Sequence, residues 1–293
     1  MMEPTLSPKR EGGADEELRF GFGANWRRFL DHLDEERIAD AGRAIAYMLG
    51  LESLAGRSFL DAGSGSGLSS LAAMRLGSGR VHSFDYDADS VACTAELKRR
   101  YFADADSWTV ESGDATDAAY VESLGPFDVV YSWGVLHHTG DMWNAIGNAV
   151  GAVRPDGGLL FIALYNDQGR GSRIWLRIKR LYNRLPRSLR PAFAAFVGAW
   201  LEVSNALNSL SVRHPTAYFS SLRAGQGRGM RRWHDLVDWV GGYPFEVAKP
   251  DRVLDFCRER GLTLIRMRTV GGGFGCNEFV FRRDGAGSGA GAA

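Results

Sequence analysis

Cysteine is scarce in this chain: Cys93, Cys257 and Cys276 are the only three in 293 residues. An odd, widely spaced set offers neither a disulfide framework nor metal-ligand spacing, so a stapled secreted scaffold is excluded and a reducing cytosol is indicated. Net charge is missing too. Lys and Arg number 35, as do Asp and Glu, so overall charge selects no partner. No apolar signal core opens the sequence, and residues 1–18 are polar and read as disordered. No internal repeat is present. The most apolar helical stretch, Pro191 to Leu207, has 17 residues and contains Glu202, Ser204 and Asn205, too short and too polar for a membrane span. What is present is an ordinary globular composition, 45% hydrophobic and 24% charged. One α/β domain with an insertion suits this length better than two independent domains.

The most informative segment runs from Phe59 to Gly67 and reads FLDAGSGSG. It is an apolar strand ending in an acid, followed by Gly63, Gly65 and Gly67 at every second position. A dinucleotide fingerprint requires G-x-G-x-x-G, and here Leu68 stands where its last glycine would be. Asp61 beside the loop suits a cationic ligand and would repel a phosphate. Further strands follow in order: Arg80 to Phe84 delivering Asp85, Trp108 to Glu111 leading into Gly113-Asp114-Ala115, Phe127 to Trp133, and Gly158 to Tyr165. The last is entered through Arg154-Pro155-Asp156-Gly157, composed of turn residues. Strands alternating with helical patterns build a parallel, doubly wound sheet with its ligand at the strand C-termini.

This arrangement resembles the class I S-adenosylmethionine (SAM) methyltransferases, whose cofactor carries a sulfonium and an ammonium and no phosphate. The resemblance implies a Rossmann-like seven-stranded sheet with a C-terminal antiparallel hairpin and a helical lid insertion. It also implies SAM as cofactor, held by Asp61, Gly63, Gly65 and Gly67, with Asp85 on the ribose hydroxyls and Tyr86 stacked on adenine. Asp114 would take the adenine amino group, with Ala115 and Trp133 as further cofactor contacts.

Just beyond that strand, Ser132-Trp133-Gly134-Val135-Leu136-His137-His138-Thr139 resembles the VLHH stretch of ubiquinone-type and other small-molecule O-methyltransferases. Methyl transfer needs alignment, plus a base where the acceptor proton is hard to lose. His138, closer to the mouth, is the favoured base and His137 the alternative. A purely structural role for both stays open. Thr139 and Asp141 are expected to cap the next helix. The acid-or-amide, Pro-Pro, aromatic signature of nucleobase amino-methylating enzymes is absent here, as is a cysteine nucleophile beside the strand.

Zero net charge conceals a local asymmetry. From Gln168 to His234 there are 13 Lys and Arg residues against the single acid Glu202, a charge of +12. Ser172 to Leu185 reads as an amphipathic helix with Ile174, Ile178, Leu181 and Leu185 on its apolar stripe and Arg173, Arg177, Lys179, Arg180 and Arg184 elsewhere. Three readings compete for the segment: a guide for an anionic acceptor, a contact with an anionic membrane surface that delivers a lipid-linked acceptor, or a solvated surface. No RNA-binding signature accompanies the arginines, so nucleic acid ranks below these. Phe22 and Trp26 in the aromatic leader, with His234, Tyr243, Glu246 and Asn277, are the expected acceptor contacts. No metal ligand set is present, and no feature selects an oligomeric state.

The resulting organisation is a disordered terminus (1–18), cap helices (19–56), a SAM-binding domain (57–166), a basic lid (167–248), a closing helix and hairpin (249–284) and a flexible tail (285–293). The function expected is methylation of a small hydroxylated acceptor in the cytoplasm, with sugars and glycan precursors favoured. N-methylation of a small molecule, RNA methylation and a non-catalytic SAM-binding role are the alternatives.

Overall fold

The computed structural model describes Phe20, Gly21, Leu30 and residues 33–211, 232–271 and 273–285, with 205–211, 232, 234 and 235 described by backbone alone. Helix α1 (Glu35–Leu49) opens on Asp34, whose side chain accepts the Arg37 amide, and closes on Gly50. Strands and helices then alternate: β1 (Ser58–Ala62), α2 (Leu68–Arg75), β2 (Arg80–Asp85), α3 (Ala88–Tyr101), β3 (Trp108–Ser112), α4 (Ala118–Ser123), β4 (Val129–Trp133), a 3₁₀ turn (Leu136–His138), α5 (Met142–Gly151) and β5 (Leu159–Tyr165). After an insertion of α6 (Arg170–Arg184), α7 (Arg190–Ser211) and α8 (Arg232–Gly241), the chain ends in α9 (Pro250–Arg258), β6 (Leu262–Arg268) and β7 (Cys276–Arg283). The seven strands form one sheet in the order β3-β2-β1-β4-β5-β7-β6. The pairs from β3 through β5 are parallel, and β7 runs antiparallel to β5 and β6.

Helices cover both faces, so adjacent strand residues bury in opposite directions. Phe59, Val129, Tyr131, Phe161 and Val280 join the core under α1, α2 and α3. Their neighbours Leu60, Val130, Ile162, Phe279 and Phe281 join the core under α5 and α9. This parity decides where polar side chains go. Asp61, Trp133 and Glu278 share the face of Tyr131, and register aligns Trp133 with Ala163 and Ala163 with Glu278 in one row. Asn277 belongs to the opposite face. None of the three cysteines forms a disulfide among the described residues, and Cys93 and Cys257 are buried.

The insertion departs from its sequence pattern. Helix α6 does bury a stripe, but it is Ser172, Trp175, Lys179, Tyr182 and Asn183. Ile174 and Leu181, expected inside, are each 49% exposed. Two aromatics seven residues apart carry more apolar surface than the aliphatic stripe, and matching rings meet them. Trp175 lies 5.2 Å from Trp239 and Tyr182 lies 6.4 Å from Phe193 between ring centroids. The rotation carries Lys179, expected among the solvated cations, into the core at 0% exposure. Its ammonium donates to the Trp239 carbonyl and sits 4.7 Å from the Trp239 ring and 4.9 Å from the Phe245 ring. The second helix is longer than the 17 residues expected, spanning 22.

Burial pushes the Lys179 pKa down to about 7, against the pull of Asp238. The unfolded chain holds the extra proton between that value and the ordinary 10.5, so stability rises with pH across this window. Lys179→Met should therefore raise the melting temperature at pH 7 and confer a smaller gain near pH 10. Thermal unfolding at the two pH values checks this; an equal gain at both would show that the buried amine does not titrate in the window.

Candidate functional site

The turn after β1 is built by glycines that have no room for side chains. A Cβ on Gly63 (φ 86°) would sit 2.3 Å from Val135 Cγ1, and one on Gly67 (φ 80°) 2.8 Å from Thr94 Cα. The loop is thus pressed between the turn after β4 and helix α3. Its Gly63 and Ser64 amides both donate to the Phe84 carbonyl, at 2.9 and 3.0 Å. Gly65 N–H donates to Asp85 Oδ2 at 2.9 Å, while Asp87 N–H donates to Oδ1 at 2.9 Å. Asp85 therefore holds the loop open, and each oxygen keeps a second lone pair for a hydroxyl. Burial raises its pKa, and the amides of Asp87 and Gly65 oppose that. Tyr86 beside it is 48% exposed, an aromatic ring of the kind a base stacks on.

Asp61 points inward. It is 1% exposed and accepts from Ser70 Oγ, which sits 2.7 Å from Ser83 Oγ; Trp108 Nε1 donates to Ser83 at 2.9 Å. Burial raises its pKa to about 7; Ser70 opposes the shift and the nearby Asp85 charge adds to it. Two buried acids that repel each other are relieved by a cation, the charge type the sequence pattern calls for. Asp114 closes its own turn, with Oδ1 accepting from the Thr116 amide and hydroxyl at 2.8 Å each. The Ala115 carbonyl accepts from Asn148 Nδ2 at 2.9 Å.

Beyond β4 the two histidines have different surroundings. His137 is fully buried and its ring lies 3.8 Å from that of Tyr165. Burial, then the charges of His138 and Lys179, hold its pKa well below the ordinary histidine value. Its Nε2 has no hydrogen-bond partner among the described residues. His138 is half-buried, and its Nδ1 lies 2.6 Å from the Pro244 carbonyl.

The expected acceptor contacts are dispersed. Glu246 accepts from the Gly140 and Met142 amides at 3.0 and 3.1 Å, so it caps α5. Asp141, expected in that role, makes no side-chain cap, and the Thr139 hydroxyl donates to the Leu136 carbonyl at 2.8 Å instead. Burial raises the Glu246 pKa to about 7. Tyr243 is 4% exposed beneath Arg180, whose guanidinium lies 5.8 Å from its ring. Asn277, 2% exposed, donates to Asn166 Oδ1 at 3.0 Å and accepts the Val270 amide at 3.1 Å. Phe22, Trp26 and the His234 side chain lie outside the described residues.

A residue missed in the sequence stands next to Asn277. Glu278 is 4% exposed, and its Oε1 accepts from Trp133 Nε1 at 3.1 Å and Arg268 Nη2 at 2.5 Å. Its Oε2 has no partner among the described residues. The available signal was strand parity: in β7 only one of Asn277 and Glu278 can share the face of Trp133. A cleft of about 340 Å³ opens in the insertion between Asp167, Ser172, Arg173, Leu176, Phe245 and Val247. Phe245, 5.4 Å from the Tyr165 ring, is the wall it shares with the histidines.

Residues 60–159 match the family described as Methyltransferase domain. Solved structures of the same fold include magnesium protoporphyrin IX methyltransferase (ChlM) from Synechocystis PCC 6803 with bound SAM, at 12% identity, 92% of this chain, 95% of that one and a TM-score of 0.51. Another is a chain of the complex between the Haloferax volcanii Trm112 methyltransferase activator and its methyltransferase, at 14% identity, 91% and 97% coverage and a TM-score of 0.52. The [4+2]-cyclase SpnF also matches, at 14% identity, 83% and 80% coverage and a TM-score of 0.50. No curated protein matches the chain. Residues 60–159 thus match a methyltransferase domain, and these solved structures share its fold. A fold this widely shared leaves the acceptor to be argued from the site.

Asp85→Ala removes the tie to Gly65 and the carboxylate expected to accept two ribose hydroxyls. SAM binding should weaken by about 2–4 kcal/mol, at charged-bond strengths of about 1.5–3 kcal/mol each. Titration calorimetry checks this, and an unchanged affinity would remove Asp85 from the cofactor site.

Proposed function

We propose that the protein methylates a hydroxyl of a small acceptor, with sugars and glycan precursors the favoured class. The carrying observation is the 2.6 Å contact between His138 Nδ1 and the Pro244 carbonyl. A carbonyl only accepts, so Nδ1 holds the proton and Nε2 holds the lone pair. That tautomer is the one a general base requires, in the more exposed of the two histidines. His137 is sealed behind Tyr165 and serves as packing.

SAM supplies, when bound, an activated methyl carbon on its sulfonium. The residues of this chain then do the remaining work. Asp85, Tyr86 and the glycine loop hold the cofactor at the ends of β1 and β2. Glu278 Oε2 would accept a hydrogen bond from the acceptor beside Trp133, and His138 Nε2 would take the hydroxyl proton as the methyl–sulfur bond gives way to a methyl–oxygen bond and a neutral thioether is left. An amine acceptor would lose its proton without such help, which is why a hydroxyl is favoured. The arginines of the insertion raise the local concentration of an anionic acceptor. Among the described residues no helix is long and apolar enough to cross a membrane, and the reading places the enzyme in the cytoplasm.

The test is transfer of label from methyl-labelled SAM into a deproteinised, RNA-free cell extract. Label is expected in a low-mass ether or ester. Label appearing only in RNA or protein fractions, or in methylated amines, would overturn the reading. His138→Ala should slow transfer roughly 10²–10⁴-fold while SAM affinity holds; a variant that keeps most of its kcat would show that alignment alone suffices.

Glu278→Gln keeps an oxygen for Trp133 and Arg268 but turns the second oxygen into a donor. It should raise the KM of the labelled acceptor about tenfold, roughly 1.4 kcal/mol, and leave SAM affinity unchanged. An unchanged KM would leave Glu278 as a partner of Trp133 and Arg268 only.

A further inference from the structure

Helices α6 and α7 share one core, in which Trp175 and Tyr182 from the first meet Ala194 and Val197 from the second. That shared core decides which residues face outward. On α7, Phe196, Trp200 and Val203 recur at helical spacing and are 71%, 47% and 58% exposed, with the exposed Ala192, Ala195 and Ala199 between them. On α6, Ile174 and Leu181 are half-exposed, and Leu189 in the connection is 52% exposed. Single exposed apolar residues are ordinary, whereas a contiguous stripe marks a contact surface.

The rim of this stripe has one sign. Arg173, Arg177, Arg180, Arg184 and Arg187 are all exposed. None of Arg173, Arg177, Arg184 and Arg187 has an ion-pair partner among the described residues. Glu202 is the one acid in the two helices. A nucleic acid would use the arginines and leave Phe196 and Trp200 in water. A second copy packed across a two-fold axis would bring arginine rims of the same sign together, at a repulsive cost.

We propose that the outer face of α6 and α7 docks on an anionic lipid bilayer. Phe196, Trp200, Val203 and Leu189 enter the headgroup boundary, and the arginines pair with lipid phosphates above them. The helices lie in the interface and do not cross it. Their inner face carries Lys179, whose ammonium sits over Phe245, so docking brings the histidine side of the sheet to the membrane surface. The proposal holds whatever the acceptor is, and its test uses no acceptor.

The full chain is sedimented with vesicles of phosphatidylcholine alone and of phosphatidylcholine with an equal amount of phosphatidylglycerol. Pelleting is expected with the anionic vesicles only, and is expected to weaken as salt passes about 0.15 M, where the screening length is roughly 8 Å. The double variant Phe196→Ser, Trp200→Ser and the double variant Arg173→Glu, Arg177→Glu should each reduce pelleting at least tenfold. Both change exposed side chains, so melting temperature and calorimetric SAM affinity should hold. Failure of the wild type to pellet with anionic vesicles overturns the proposal. So does full pelleting of the serine variant, which would mean electrostatic adsorption alone. A dimer seen by light scattering and dissolved by the serine changes would likewise overturn it, because the face would then belong to a second copy.

Discussion

The hydrogen bond from the Gly65 amide to the Asp85 carboxylate ties the glycine loop to the end of β2, and the rest of the site is assembled around that tie. It requires an acid at the end of β2 and a loop after β1 that can turn its amides toward it. The loop achieves this only because Gly63 and Gly67 leave space for Val135 and Thr94. Val135 in turn begins the turn that carries both histidines. The glycine loop and the histidine turn are therefore packed against each other directly, with no intervening layer.

The same economy explains how two adjacent histidines acquire opposite properties. One backbone step moves His137 into a fully buried slot against Tyr165, where desolvation keeps it neutral. His138 emerges on the other side and is oriented by a carbonyl from Pro244, a residue 106 positions away. Polar identity alone does not distinguish them. Depth and the partner of one nitrogen do.

Much of the sheet was legible because its information is local. FLDAGSGSG, the acid ending β2 and the apolar strands carry their own signatures and give the parallel doubly wound part, while the seven-stranded sheet with its antiparallel edge was implied by the family resemblance. The insertion was less legible because its orientation is decided by distant rings. Trp239 and Phe245 draw Trp175 and Lys179 inward, and nothing within α6 announces that. The cap of α5 was missed for the same reason. Asp141 is its local candidate, but Glu246 reaches across from 104 residues downstream. Asn277 and Glu278 show a subtler limit, since composition ranks them equally and only strand parity separates them.

The segment from Pro244 to Glu246 touches the histidine turn at three places. The Pro244 carbonyl meets His138, the Glu246 amide donates to the His137 carbonyl at 2.9 Å, and the Glu246 carboxylate takes the amides of Gly140 and Met142. These residues act as a splint that welds the tail of the insertion to the turn after β4. A motion of α6, α7 and α8 that leaves the histidines still must bend on the insertion side of Pro244. A motion that bends beyond it drags them along. The insertion and His138 are thus one mechanical unit, and an insertion of different shape could not be grafted here without resetting the histidine it braces.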